Sequence, residues 1–237
     1  MSAYFEELDY QMTPLGPVSL RRRRQFKLDI DIVEVLLGDE HLMSDLFTVS
    51  EESLSRLALA ELPGKGLNIL IGGLGLGYTA AAVLDNSAVT AVTVIEYLSP
   101  VISWHQQGVL PLGRRLVQDP RCKLVEADFF ARAALSSGLD PSNPGHLYDG
   151  ILVDIDHSPE FFLDPSHSDF YTSEGLAKFA LNLREGGVFG LWSNDGPDPV
   201  FVDRLQDVFS KAWAVDVVFP NPILEEECLQ TIYLAFR

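Results

Sequence analysis

Positive charge is scarce in this chain of 237 residues: 17 Lys and Arg stand against 34 Asp and Glu, a formal net charge of −17. A surface of that sign repels phosphate backbones, which argues against nucleic acid as substrate or partner. Cysteine is almost missing as well. Cys122 and Cys228 are the only two, each within an apolar segment and in no metal-type spacing. Both are expected to be reduced and buried, as in a cytosol, and neither founds a disulfide framework or a metal site. Long apolar runs are absent too. None reaches the ~18 residues that a membrane span requires, and the N-terminus carries no signal-peptide pattern. The expectation is a cytoplasmic protein with no membrane partner. No internal repeat or low-complexity tract is visible.

What is present is a core. Hydrophobic residues make up 47% of the chain, and its length suits one large domain or one domain with a small appendage. Residues 1–60 differ in style from the rest. Pro14-Leu-Gly-Pro17 reads as a turn, 18–20 and 30–37 as extended segments, and Gly38-Asp39 as a hairpin turn into 40–44. This is a small β-hairpin module. The basic run Arg21–Arg24 within it can bind an anion, although a solvated or edge strand whose charges discourage aggregation explains it more simply. A helix over 50–60 follows, with Ser50 as candidate N-cap and acids in its first turn.

From residue 61 to the end, strands and helices alternate. Strands are expected at 67–71, 90–95, 122–126, 148–153 and 187–193, and helices at 78–84, 99–107, 172–184 and 199–209. Two late strands, 214–219 and 231–236, flank the loop Pro220–Glu227. Such alternation specifies an α/β fold, a doubly wound, mostly parallel, Rossmann-like sheet with helices on both faces. Ligands in these sheets bind at the carboxyl ends of the strands.

The candidate residues cluster at those ends. Leu67-Asn-Ile-Leu-Ile-Gly-Gly-Leu-Gly-Leu-Gly-Tyr-Thr79 runs from a buried strand through Gly72, Gly73, Gly75 and Gly77 into a helix. Glycines there let a ligand approach the backbone, and the helix N-terminus behind them offers N–H groups. Val92-Thr-Val-Ile-Glu96 ends in an acid 19 residues after Gly77. Glu96, with Tyr97 beside it, is placed to hold ribose hydroxyls. Cys122-Lys-Leu-Val-Glu-Ala-Asp128 ends in another acid, suited to an adenine amino group, and Phe129 and Phe130 after it can sandwich the ring. Three such strand ends together indicate a nucleoside cofactor. Its spacing is G-x-G-x-G, with Tyr78 where a dinucleotide fingerprint has its last glycine. That suits S-adenosylmethionine better than NAD, and argues against a dehydrogenase.

A fourth strand end, Tyr148-Asp-Gly-Ile-Leu-Val-Asp154-Ile-Asp156-His157, brings Asp154, Asp156 and His157 to the cofactor's reactive end. A carboxylate there can hold an attacking amine or accept its proton, and His157 can serve as a general base. The duller role for Asp154 is capping a loop by bonding backbone N–H groups. No metal is expected, because nothing else nearby has ligand spacing. Trp192-Ser-Asn-Asp195 is placed to line an acceptor pocket, with Phe161, Phe162, Phe170 and Tyr171 on the segment covering it.

These motifs, Ile71–Gly77, Val94-Ile-Glu96, Glu126-Ala-Asp128 and Tyr148–Asp154, resemble those of the spermidine synthases (polyamine aminopropyltransferases). Those enzymes use the class I methyltransferase fold behind an N-terminal β module. The resemblance covers nearly the whole chain, most specifically 67–160. It implies that Glu96 binds the ribose and Asp128 the adenine, and that Asp154 deprotonates the acceptor amine. It also implies a homodimer. The departures are as informative. Gly75 stands where that family has the Asp that holds the aminopropyl ammonium, and His157 where a second Asp meets the diamine. Leu42-Met-Ser44 and Val49-Ser-Glu51 replace the Gln and Tyr that line the diamine groove. Each lost contact to a dication is worth about 1.5–3 kcal/mol, so ordinary spermidine synthesis should be nearly abolished. The expectation is a transferase using S-adenosylmethionine or its decarboxylated form on a small nucleophile, an amine first, with a slight lean to methyl transfer. The alternatives are an aminopropyltransferase with an atypical acceptor and a non-catalytic nucleoside-binding protein.

Overall fold

The computed structural model describes residues 4–237. Its first unit is a four-stranded antiparallel sheet in the order β1 (Phe5–Thr13), β2 (Gly16–Gln25), β3 (Ile30–Leu37) and β4 (Glu40–Ser44). The expected hairpin is therefore half of a larger sheet, and β1 was not anticipated. Its acid–polar alternation hides the strand period, because its outer side chains stay exposed. Arg21–Arg24 do not lie on an edge. They sit on β2, between β1 and β3, and pair with acids on either side: Arg22 with Glu6 at 3.2 Å, Arg23 with Glu34 at 2.8 Å, Arg24 with Asp31 at 3.1 Å. The run is neutralised by its neighbours within its own sheet.

Helix α1 (Val49–Ala60) connects to the second sheet. Its N-cap residue is Thr48; Ser50 lies inside the first turn and donates to Glu51 Oε2 at 2.8 Å. The second sheet has seven strands in the order β10-β11-β9-β8-β5-β6-β7. These are β5 (Leu67–Gly72), β6 (Val89–Glu96), β7 (Cys122–Glu126), β8 (Tyr148–Val153), β9 (Leu183–Ser193), β10 (Lys211–Asn221) and β11 (Glu226–Phe236). Strands β5 to β9 pair in parallel, and β11 joins β9 antiparallel. Between them lie α2 (Tyr78–Leu84), α3 (Ser99–Gln107), α4 (Gly113–Gln118), α5 (Phe129–Ala133), α6 (Ser173–Ala180) and α7 (Pro199–Gln206). The expected helix over 172–184 stops at Ala180, and β9 starts at Leu183, four residues before the predicted strand.

The sheet is apolar on both faces, and each face has its own core. One gathers Leu54 and Ala58 of α1, Val83 of α2 and Trp104 of α3, and it includes Val18, Leu20, Val33 and Val35 of the small sheet. The other is aromatic, with Phe129, Phe170, Phe179, Phe189 and Phe201. Phe179, Phe189 and Phe201 are wholly buried, and each large apolar side chain removed from water stabilises the fold by about 1.5–3 kcal/mol. The two sheets are also tied by Trp104 Nε1, which donates to Asp9 Oδ2 of β1 at 2.6 Å. Both cysteines are free and half-buried, less enclosed than expected; burial still pushes the Cys122 thiol up to about 11.

The order of the parallel strands reverses between β5 and β8, so their carboxyl ends diverge there and open a crevice. Gly72 ends β5 and Asp154 follows β8. The two strands remain joined at this point, where Asp154 N–H donates to the Gly72 carbonyl at 2.9 Å.

Candidate active site

The floor of the crevice is the glycine turn. Gly73 has φ of +94°, and a Cβ there would fall 2.1 Å from the Asp154 carbonyl oxygen. Glycine is required at 73 for the approach of β5 to β8, whatever binds above. Gly75, at φ +48°, faces the small sheet: a Cβ would meet Met43 Sδ at 2.7 Å. The turn is braced from below. His105, fully buried on α3, bonds the Gly75 carbonyl through Nε2 at 2.8 Å. The ring must donate there, which leaves Nδ1 as a buried acceptor without a partner among the described residues. Burial holds this imidazole below its usual pKa, so it stays neutral.

Glu96 braces the turn from the side. Its carboxylate accepts from Leu74 N–H at 2.9 Å and Leu98 N–H at 2.7 Å. Burial raises its pKa against these bonds. Asp128 caps α5 through Ala131 N–H at 2.9 Å. Phe129 lies over Gly72, whose absent Cβ would come 2.7 Å from the ring, and it is 2% exposed. The ring is a wedge between strand and core as much as a wall of the crevice.

Two cavities share this floor. The narrower, about 80 Å³, is lined by Gly73, Gly75, Glu96, Tyr97, Asp128 and Phe129. The broader, about 350 Å³, is lined by Gly77, Tyr78, Thr79, Glu51, His157 and Trp192, among others. Leu42 and Met43 of β4 roof both. Between the two stands Asp154, among the described residues the one titratable group that lines both. Its Oδ2 accepts from Thr79 Oγ1 at 2.6 Å. Burial raises its pKa to about 6. Burial, followed by repulsion from Asp154, lifts Glu51 to about 7. Two carboxylates in one enclosed space resist ionising together, so the pair holds on to a proton near neutral pH.

The predicted site residues thus separate. Gly72, Gly73, Gly75, Gly77, Glu96, Tyr97, Asp128, Phe129 and Asp154 meet at the crevice. His157 lines the broad cavity and bonds Glu40 Oε1 at 2.9 Å, through Nε2. Asp156 turns away: it is 1% exposed and bonds His167 and Tyr171. Phe170 and Tyr171 belong to the aromatic core, whereas Phe161 is exposed. No group of three or more His, Cys, Asp or Glu placed to hold a metal exists among the described residues. Thr79 and His167 were not singled out from the sequence as site groups, and Glu51 only as part of the stretch that replaces the diamine-groove residues. In sequence, Glu51 is an ordinary first-turn helix acid, and Thr79 one polar residue in a run of alanines.

Strand order, switch point and glycine turn define a class I methyltransferase-type fold behind an N-terminal antiparallel sheet. Spermidine synthase from Thermotoga maritima matches at a TM-score of 0.73 and 17% identity, covering 97% of this chain and 72% of that one. Spermidine synthase in complex with the transition state analogue AdoDATO matches at 0.74 and 16%, covering 97% and 73%. Human methyltransferase-like protein 13 in complex with SAH matches at 0.56 and 19%, covering 79% and 82%. No family model and no curated protein matches the chain.

Proposed function

We propose that this protein is a transferase that moves an alkyl group from an S-adenosylmethionine-type donor to a small amine. The observation that carries the reading is Asp154. It is a shielded carboxylate between a narrow cavity with glycine turn, Glu96 and Asp128, and a broad one with room for a second molecule. The residues fit such a donor: Glu96 and Asp128 are acceptors for hydroxyl and amino groups, and Phe129 and Phe130 add ring faces. At about 80 Å³ the narrow cavity is small for a nucleoside, so Leu42 and Met43 must swing aside on binding.

When bound, the donor supplies an electrophilic carbon on a sulfonium and leaves as a neutral thioether. The protein positions and desolvates. The amine is held by Asp154 and Glu51 against the rings of Tyr78, Phe47 and Trp192, a setting that favours a cation with an apolar body. With a pKa of about 6, ionised Asp154 is suited to take a proton from the bound ammonium, which frees the nitrogen lone pair to form the new bond to carbon as the C–S bond breaks. Holding both reactants in line supplies much of the rate.

Methyl transfer is the leading version, because Gly75 under Met43 offers no acid to an aminopropyl ammonium. Aminopropyl transfer is the second reading, favoured by Glu51, which puts a carboxylate on the acceptor side. Calorimetric titration with S-adenosylmethionine, its decarboxylated form and methylthioadenosine separates the versions. Tighter binding of the intact donor supports methyl transfer and of the decarboxylated one aminopropyl transfer, while no heat from any of the three refutes the reading.

A further inference from the structure

Behind the wall of the narrow cavity a carboxylate, a histidine and a tyrosine meet; only the histidine lines the cavity, and the alkyl transfer uses none of them. Asp156 accepts from Tyr171 Oη at 2.9 Å, from Leu163 N–H at 2.8 Å, and from His167 Nδ1 at 2.8 and 3.1 Å to its two oxygens. These bonds occupy the carboxylate, which lines neither cavity. What it does is fix His167. A carboxylate opposite Nδ1 requires a proton on that nitrogen, so in the neutral ring Nε2 is the acceptor. The ring cannot turn, because it also stacks on Phe130 with centroids 3.9 Å apart and planes 23° from parallel. Nε2 has no hydrogen-bond partner among the described residues. His167 and Phe130 line the narrow cavity together with Asp128.

We propose that His167 selects the nucleobase: locked by Asp156, it presents Nε2 as an acceptor to the exocyclic amino group of an adenine in the narrow cavity beside Asp128. This rests on the nucleoside reading of the narrow cavity. An adenine amine donates to that nitrogen, whereas the 6-oxo group of hypoxanthine sets an acceptor against an acceptor. Asp156 is then a positioning residue for binding, acting through the tautomer it imposes.

The test is a calorimetric comparison of methylthioadenosine with methylthioinosine, on the full chain. The wild type should prefer the adenine compound by about ten-fold or more, the scale set by one mispaired buried polar group. His167→Phe keeps the stack on Phe130 and removes the acceptor, so the preference should fall by about ten-fold with adenine-nucleoside binding weakened. His167→Gln retains an acceptor oxygen and should restore part of it, and it serves as the second variant where phenylalanine does not fold. Asp156→Asn should lower the preference as well, since an amide can donate to Nδ1 and release the lock. A wild type that binds methylthioadenosine, with a preference unmoved in the folded variants, overturns the inference and leaves the nucleoside reading standing. A wild type that binds neither compound overturns both.

Discussion

Replacing Asp154 by Asn should make the protein more stable at alkaline pH while stopping its chemistry. The carboxyl group is raised from an ordinary 3.8 to about 6, with burial as the cause. Between those values the native state holds a proton that the unfolded chain has released, so stability falls as pH rises through the interval. Each tenfold change in acidity is about 1.4 kcal/mol, and the full displacement is therefore worth about 3 kcal/mol above pH 6. The cavity admits water, which reduces this to about 2 kcal/mol. Asn keeps an oxygen for Thr79 and has no charge to desolvate. Urea denaturation of wild type and Asp154→Asn at pH 8 should show the variant about 2 kcal/mol more stable, and the gain should vanish near pH 4. The slope expected of the proposed transfer runs the other way: it requires ionised Asp154, so wild-type activity should fall as pH drops below about 6. A stability difference equal at both pH values would refute the enclosed-carboxylate account. Full turnover in the variant would refute the base.

Glu51→Gln removes the neighbour that Asp154 repels, so the acid limb of the activity profile should move to lower pH, read from kcat/KM against pH. Gly75→Asp puts a carboxylate in the turn; Met43 must yield by a flexible side chain's end, and binding should shift toward decarboxylated S-adenosylmethionine, measured by calorimetry. Phe129→Ala should cost about 3–5 kcal/mol of stability by denaturant titration, because it empties a site packed against Phe130, Phe170 and Phe179.

The sequence made the second sheet and its helices legible because their signals are local. Leu67–Ile71 and Tyr148–Val153 are apolar runs closed by glycine or acid, and they became β5 and β8 with ends shifted by a residue or less. The small sheet was read only in part, since β1 has exposed Tyr10 and Met12 where a strand pattern would need an apolar inner row. At the site, the glycines, Glu96, Asp128 and Asp154 were visible because each ends a strand. The pairing of Glu51 with Asp154 was not, because it depends on α1 packing beside β8 and α2, which no short spacing encodes. Asp156 was misplaced for a related reason. One residue separates it from Asp154 at the end of a parallel strand, yet its partners His167 and Tyr171 arrive from a 3-10 turn at Pro165–Tyr171.

The roof of the crevice belongs to one sheet and the floor to the other. Met43 and Leu42 hang from β4, over glycines that extend β5. Any molecule in the narrow cavity therefore spans a seam, and its binding free energy is partly adhesion between two bodies that the chain joins through α1. The Asp9–Trp104 bond lies on that seam. Loosening it should weaken binding in the narrow cavity without altering one residue that lines it.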